Sequence, residues 1–360
     1  MKNLIIFICV FILLVFTYTF GRVDKEILDD VNVASAIGID KVEGKTIKGT
    51  AIIPVFQADK SIGNENFVEE STLAKEVINK LQNKSADPMV TGGIKVALYS
   101  EEIAREGIND YADALQRDAS IGSKVFLGIV DGQTEDLLKE TLGNRGTGYY
   151  LRTLIEHNME IRDLPDMNLH LYMFRNNAMG MDPYLPYLRK TGNKAQIIGL
   201  AIFKGDKMVD VIDPVNLFFF KALVQNFSEG THTLHLKDAN EDASIMRIVS
   251  TRHINVEERN GQPQVTFNIY LQGILSEYSG EKTTPAVVEE IVSGLEKEII
   301  DRSEKMLKKF QELNTDPVGL GYIAKRSKLR FDEEQWKNVY QHIDIKVTSK
   351  VDLIETGVIE

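Results

Sequence analysis

Apolar residues open the chain in an unbroken block: after Lys2, every position from Leu4 to Phe16 is apolar, and Thr17, Tyr18, Thr19 and Phe20 extend the run. A block of this kind has no polar face to turn to water, which argues against a buried helix at the start of a soluble domain. A positive residue followed by a short apolar core has the form of an export segment. The core alone is short for a membrane span, but counted through Phe20 it reaches the lower limit of about 17 residues. Tyr18, Thr19 and Phe20 offer no small-residue cleavage pattern. Residues 1–22 are therefore read as a signal or anchor segment, uncleaved, with Lys2 inside and the folded part outside.

Beyond residue 22 the pattern breaks into short periodic segments. Ile37-Gly38-Ile39-Asp40, a turn-rich stretch at 41–45 and residues 46–56 predict a β-hairpin, and Pro54 places its second strand at a sheet edge or bulge. After a polar loop, Ser71 or Thr72 can cap a helix in which Leu73, Val77 and Leu81 recur every four residues. Residues 94–99 read as a strand, 101–116 as a helix carrying Ile103, Ile108 and Leu115, and 125–130 as a strand; this β-α-β unit is followed by a helix at 135–142.

The glycine-rich stretch from Gly143 to Gly148 marks a change of region. A helix near 149–157 follows, then a loop at Pro183 and Pro186, then a hairpin of 197–203 and 207–212 turning at Gly205-Asp206. Asp213-Pro214 starts a helix carrying Leu217, Phe220, Leu223 and Val224, and the triple Phe218-Phe219-Phe220 reads as core or interdomain contact. From Thr231 three extended runs follow, 231–236, 244–256 and 265–275, with Asn260-Gly261 turning between the last two. Thr284 and Pro285 open a helix of about 30 residues, marked by Val288, Ile291, Leu295, Ile299, Met306, Phe310 and Leu313. A short helix with Trp336 and Tyr340 and a strand at 343–354 close the chain. The expected fold class is α+β, with about three α+β domains and separate cores after the N-terminal segment: 23–145, 146–230, and 231–360 as a meander plus long helix.

Composition narrows the function classes. With 42 Lys+Arg against 53 Asp+Glu the 360-residue chain carries −11, which together with the lack of a Lys/Arg run makes nucleic acid a poor partner. Cys9, the single cysteine, lies in the apolar run, so an intramolecular disulfide and a cysteine-based zinc site are excluded. The chain lacks G-x-S-x-G, H-E-x-x-H, a P-loop, an EF-hand loop and a strand-preceded G-x-G-x-x-G. A predicted helix precedes the glycines at 143–148, which favours an interdomain turn over a phosphate site. His232 and His235, three apart on a predicted strand, point to opposite faces and are not expected to share a metal. His157, His170, His253 and His342 are scattered, and the acidic pairs Asp29-Asp30, Glu101-Glu102 and Glu289-Glu290 read as solvated charges. No residue is assigned to catalysis, to a cofactor or to a metal. The Glu/Lys face of the long helix stays open between solvated surface and docking face.

Several phrases in order resemble the Ger(x)C family, the C subunit of nutrient germinant receptors of endospore formers. Family members pass from a lipobox G-C into W-D-x-x-E-I and a strand ending G-I-D; here Gly21-Arg22-Val23-Asp24-Lys25-Glu26-Ile27 leads to Ile37-Gly38-Ile39-Asp40. The phrase Ser100-Glu101-Glu102-Ile103-Ala104-Arg105-Glu106-Gly107-Ile108, followed by Arg117-Asp118, is similar to the family's mid-region. Asp182-Pro183-Tyr184-Leu185-Pro186 and the hairpin from Gly199 to Val209 resemble its G-x-A-x-F-K-x-D-K motif, and Asp316-Pro317-Val318-Gly319-Leu320-Gly321 with Trp336 resembles its closing module. The resemblance runs from about residue 21 to the C-terminus. It implies an elongated, non-enzymatic three-domain subunit on the outer face of the spore inner membrane, working with receptor A and B subunits to transduce a nutrient signal. Arg22 stands where the family carries its lipidated cysteine, so lipidation there is chemically impossible and residues 1–20 are expected to serve as anchor. The competing class is an exported hydrolase or solute-binding protein with an unfamiliar site.

Overall fold

The structure, a computed structural model, describes residues 3, 6–7, 11–12, 16, 31–59, 61–236, 240–259, 262–327 and 333–355. Arg22, the phrase 21–27, Asp29-Asp30 and the Asn260-Gly261 turn lie outside these residues, as does most of the N-terminal run. Of that run, Asn3, Ile6, Phe7, Phe11, Ile12 and Phe16 are helical and exposed. Among the described residues no helix is long and apolar enough to cross a membrane.

The first half begins with β1 (Asn32–Val33), β2 (Ala36–Lys41), β3 (Ile47–Phe56) and β4 (Ile62–Ser71). The expected hairpin is β2–β3, and β2 pairs with β3 only as far as Ile52, so Pro54 lies beyond that pairing and faces Asn64 of β4 alone. Strand β4, expected as a polar loop, is the sheet's outer edge; its charged residues suit an edge, and Phe67 and Ser71 are the side chains it buries. Helix α1 (Ala74–Lys84) buries Val77 and Leu81, while Leu73 is its exposed N-cap residue and Ser71 Oγ accepts the Leu73 N–H at 3.3 Å. Next come β5 (Met89–Val90), β6 (Val96–Ser100), α2 (Glu101–Glu106), α3 (Asn109–Arg117) and β7 (Phe126–Val130). The single helix expected at 101–116 is split because Gly107 takes φ +128°. A Cβ at Gly107 would lie 2.4 Å from Asp206 Oδ2, so a distant hairpin turn, not local propensity, interrupts the helix.

Helices α4 (Thr134–Leu138), α5 (Thr147–Ile161) and α6 (Leu169–Asn177) lead to β8 (Tyr184–Thr191), β9 (Lys194–Lys204) and β10 (Lys207–Ile212). All the major strands to this point form one sheet of eight, ordered β10-β9-β8-β7-β6-β2-β3-β4, with a parallel centre β2-β6-β7-β8 between antiparallel edges. Strand β8 pairs with β7 at Ile129↔Tyr187 and Val130↔Leu188, so one sheet spans the expected boundary near residue 145. The stretch read as a loop from Pro183 and Pro186 is this bridging strand. It tolerates Pro186 because that residue lies outside the two positions shared with β7.

After α7 (Leu217–Val224), a second sheet of four runs β11 (Phe227–Leu236), β12 (Glu241–Arg259), β13 (Gln262–Tyr278) and β14 (Asp344–Glu355), in that order. The expected boundary near 230 falls inside β11. Strand β14 returns parallel to β13 after α8 (Pro285–Leu313), α9 (Leu320–Arg326) and α10 (Glu333–Val339). Thr284 Oγ1 caps α8 by accepting the Val287 N–H at 3.3 Å, Pro285 sits in its first turn, and left-handed Asn314 ends it. Its stripe Ile291, Leu295, Ile299, Met306 and Phe310 is buried, at about 1.5–3 kcal/mol per large side chain. All three phenylalanines of α7 are buried, and Phe220 contacts both Tyr184 of β8, at 5.2 Å between ring centres, and Phe310 of α8, at 5.9 Å. The buried side chains of both sheets form one continuous cluster rather than separate cores.

Candidate functional site

The β9–β10 turn, Gly205-Asp206, is where the two sheets are tied together. On one side Asp206 accepts the Ile108 N–H through its backbone carbonyl at 3.1 Å and lies against Gly107. On the other, Gly205 donates its N–H to Asp182 Oδ1 at 2.7 Å. The second oxygen of Asp182 accepts the Asp316 N–H at 2.6 Å and the Thr315 hydroxyl at 3.1 Å. Asp316 in turn accepts the N–H groups of Gly319, Leu320 and Gly321 at 2.8, 2.9 and 2.8 Å, closing the turn that starts α9. Gly180 and Gly321 cross so closely that a Cβ on Gly180 would lie 2.4 Å from Gly321 Cα, and one on Gly321 would lie 2.5 Å from Trp336 Nε1. Arg175 of α6 bridges the crossing by donating to the carbonyls of Asp182, at 3.1 Å, and Pro317.

The carboxylate oxygens of Asp182 and Asp316 each accept from donors of the protein itself, and Asp316 is buried whereas Asp182 is half-buried. Burial pushes the Asp316 carboxyl up to about 7 against the pull of its three N–H partners, and the neighbouring Asp182 charge adds to the rise. Tyr340, whose hydroxyl donates to the Thr315 carbonyl at 2.6 Å, is raised by burial and by the same two carboxylates. Such an arrangement holds elements in register.

Residues 24–190 match the family described as Spore germination protein N-terminal domain, and residues 198–357 match Spore germination B3/GerAC like, C-terminal. The chain belongs to the Ger(x)C family of spore germination proteins. It is 28% identical over 365 residues to Spore germination protein GerQC of Bacillus cereus, covering 100% of both chains. With Putative spore germination protein YfkR of Bacillus subtilis (strain 168) it shares 22% identity over 381 residues, covering 98% of this chain and 97% of that one. Its fold is similar to that in the crystal structure of the GerBC protein, with a TM-score of 0.59 and 17% identity over 88% of this chain and 96% of that one.

The Ger(x)C-like phrases quoted from the sequence are largely the residues of this junction: 100–108, 182–186, 199–209, 316–321 and Trp336 all meet there. The G-I-D phrase does separate work, since the buried Asp40 carboxylate accepts the N–H groups of Thr134 at 2.6 Å and Glu135 at 3.0 Å and so caps α4. Arg175 and Thr315 were not singled out from the sequence, and Tyr340 only as a residue of the last short helix. A lone arginine directly after the apolar run Leu171-Tyr172-Met173-Phe174 is the signal that marks Arg175 as a buried cation.

The other candidates from the sequence do not converge. The turn 143–148 does precede α5, but Thr147 Oγ1 donates to the Glu140 carbonyl and accepts from Asn64 Nδ2 at 2.6 Å and from the Leu142 N–H at 3.1 Å. That helix start is closed by the protein's own side chains. His232 stacks on Phe218 at 4.7 Å and meets Glu298 at 3.1 Å, whereas His235 pairs with Asp242 on the exposed side at 2.8 Å. His157, His170, His253 and His342 are exposed and apart, Glu102, Glu289 and Glu290 are exposed, and Glu101 is ion-paired to Arg105. Among the described residues no group of three or more His, Cys, Asp or Glu is placed to hold a metal.

A cleft of about 1160 Å³ opens between β10, β11 and α8. Four of its charges are tied in pairs, Lys309 to Asp210 and Arg302 to Glu298, and Asp213, Glu290, Lys297, Asp301 and Lys305 line it as well. The Glu/Lys face of α8 proves to be partly structural. Glu296 and Glu304 accept the outward N–H groups of Val351 and Val347 at 2.9 and 3.2 Å, and Gln311 donates to the Ile343 carbonyl at 3.0 Å. These side chains close the edge strand β14 to further pairing.

Proposed function

We propose that the chain is the non-enzymatic C subunit of a spore germinant receptor, working with A and B subunits to transduce a nutrient signal at the outer face of the spore inner membrane. The observation that carries the reading is the convergence of the family's scattered phrases on a junction that joins two sheets and is filled by its own hydrogen bonds. Residues under selection in a hydrolase or solute-binding protein would line an open pocket with displaced acids. Here the raised acids Asp40 and Asp316 are buried beneath backbone donors, and neither they nor Asp163, raised by burial, lines the large cleft. The junction instead couples the eight-stranded sheet to the C-terminal helices, which suits a part that passes a displacement between partners. Residues 1–20 supply the membrane attachment in place of the lipid that Arg22 precludes. The test is deletion of the gene in a strain lacking paralogous receptors. Loss of the nutrient germination response, restored by the intact gene, is expected; an unchanged response would argue against the role.

A further inference from the structure

The two larger sheets have four outer strands, β4, β10, β11 and β14, and three of them are closed against further pairing. Strand β4 carries Glu65, Glu69 and Glu70. Strand β10 is broken by a bulge between Met208 and Asp210, and Asp210 is tied to Lys309. Strand β14 gives its outward Val347 and Val351 N–H groups to Glu304 and Glu296 of α8. Charges, bulges and covered donors are the ordinary means of keeping a further strand off an edge.

Strand β11 has none of these over its second half. It pairs with β12 alone, and among the described residues no side chain bonds a backbone N–H or C=O of residues 230–236. That stretch reads Gly230-Thr231-His232-Thr233-Leu234-His235-Leu236, without lysine, arginine, aspartate, glutamate or proline. It borders the cleft of about 1160 Å³: residues 232–236 form one wall, β10 and the turn at Val215 another, and α8 the third. The volume exceeds the ~300–1,000 Å³ of a small-ligand pocket. Five carboxylates and four cationic side chains line the cleft and nearly cancel, which suits neither a polyanion nor a polycation. Apolar surface comes from Val215, which is 62% exposed, and from Leu234, Leu236 and Met306.

The walls also decide between occupants. A second copy of the chain would carry its own β10 and α8 to the shared edge, and both pairs of walls would have to occupy one cleft. A single extended segment needs only the ~4.8 Å that separates paired strands. We propose that the open edge of β11, from Thr231 to Leu236, takes up an uncharged, extended segment of another protein as a fifth strand, with apolar side chains at alternate positions set against Val215 and Met306. Main-chain pairing supplies the affinity, and the surfaces met by alternate side chains supply the specificity. The inference names a class of partner and stands whether or not that partner is a receptor subunit.

The experiment places p-benzoylphenylalanine at Thr231, Thr233 or His235, one position at a time, in the full chain made in its native host. The spores are irradiated and the crosslinked residues are mapped by mass spectrometry. All three positions are exposed, so the fold tolerates the change. An added strand is expected to give a ladder, in which each step of about two residues along β11 moves the crosslink by about two along one short segment of one partner protein. The double variant Thr231→Lys with Thr233→Lys supplies the charges that other edges carry and is expected to cut the yield from position 235 about tenfold. Crosslinks confined to the chain's own α8 or β10, a ladder running onto a second copy, partner crosslinks without the regular step, or a yield unchanged by the lysines would each overturn the proposal.

Discussion

Replacing Asp182 by alanine removes the acceptor that ties the β9–β10 turn to the start of the C-terminal helices. Three donors lose it: the Gly205 N–H, the Asp316 N–H and the Thr315 hydroxyl. The hydroxyl keeps the Phe203 carbonyl as a partner, so the lasting loss falls on the two backbone N–H groups. Each buried donor left without an acceptor costs about 1–3 kcal/mol, which sets a gross loss of about 2–6 kcal/mol. Removing the charge beside Asp316 returns a part of this, because the ionised form of that residue becomes easier to bury. A net destabilisation of about 2–4 kcal/mol is expected, a large share of the ~5–15 kcal/mol that holds a typical domain. Urea unfolding of wild type and Asp182→Ala in the same detergent measures it, with hydrogen exchange at Gly205 and Asp316 locating the loss. A variant within ~0.5 kcal/mol of wild type, with both amides still protected, would show that the carboxylate does not hold the junction.

Leu295 is fully buried in the α8 stripe, so Leu295→Asp should cost more than ~4 kcal/mol and unfold the C-terminal sheet; a variant melting like wild type removes the claim that the stripe organises it. The double change Glu296→Ala with Glu304→Ala should speed hydrogen exchange of the Val347 and Val351 amides by about tenfold or more, and unchanged rates would mean that the carboxylates do not close the edge. The intact chain should stay in the membrane fraction through a carbonate wash and become soluble when residues 1–22 are removed. A mature protein starting near residues 21–23 and freely soluble would contradict the anchor.

What was legible in the sequence was periodicity over long stretches. The β2–β3 hairpin and the apolar stripe of α8 announce themselves because each buries apolar residues over most of its length. Strand β4 escaped because an edge strand buries little, and its glutamates read as loop. Strand β8 escaped because Pro183 and Pro186 look like breakers until the pairing with β7 is seen to spare Pro186. The break between α2 and α3 depends on Asp206, and nothing local to Gly107 reveals it. The junction was half legible: its phrases are recognisable as family words, with Asp182-Pro183 and Asp316-Pro317 alike in form. That they meet at one point is a property of the eight-stranded sheet crossing residue 145, which pattern changes along the chain had suggested as a boundary between cores.

The proposed receptor subunit differs from a free enzyme or binding protein in what it is held with. Purifying the tagged chain from spore inner membrane and identifying what accompanies it by mass spectrometry tests that most directly. Recovery from the membrane fraction together with receptor A and B subunits is expected, weakened by Asp182→Ala. Recovery of the chain outside the membrane fraction, or within it but without either subunit, would contradict it.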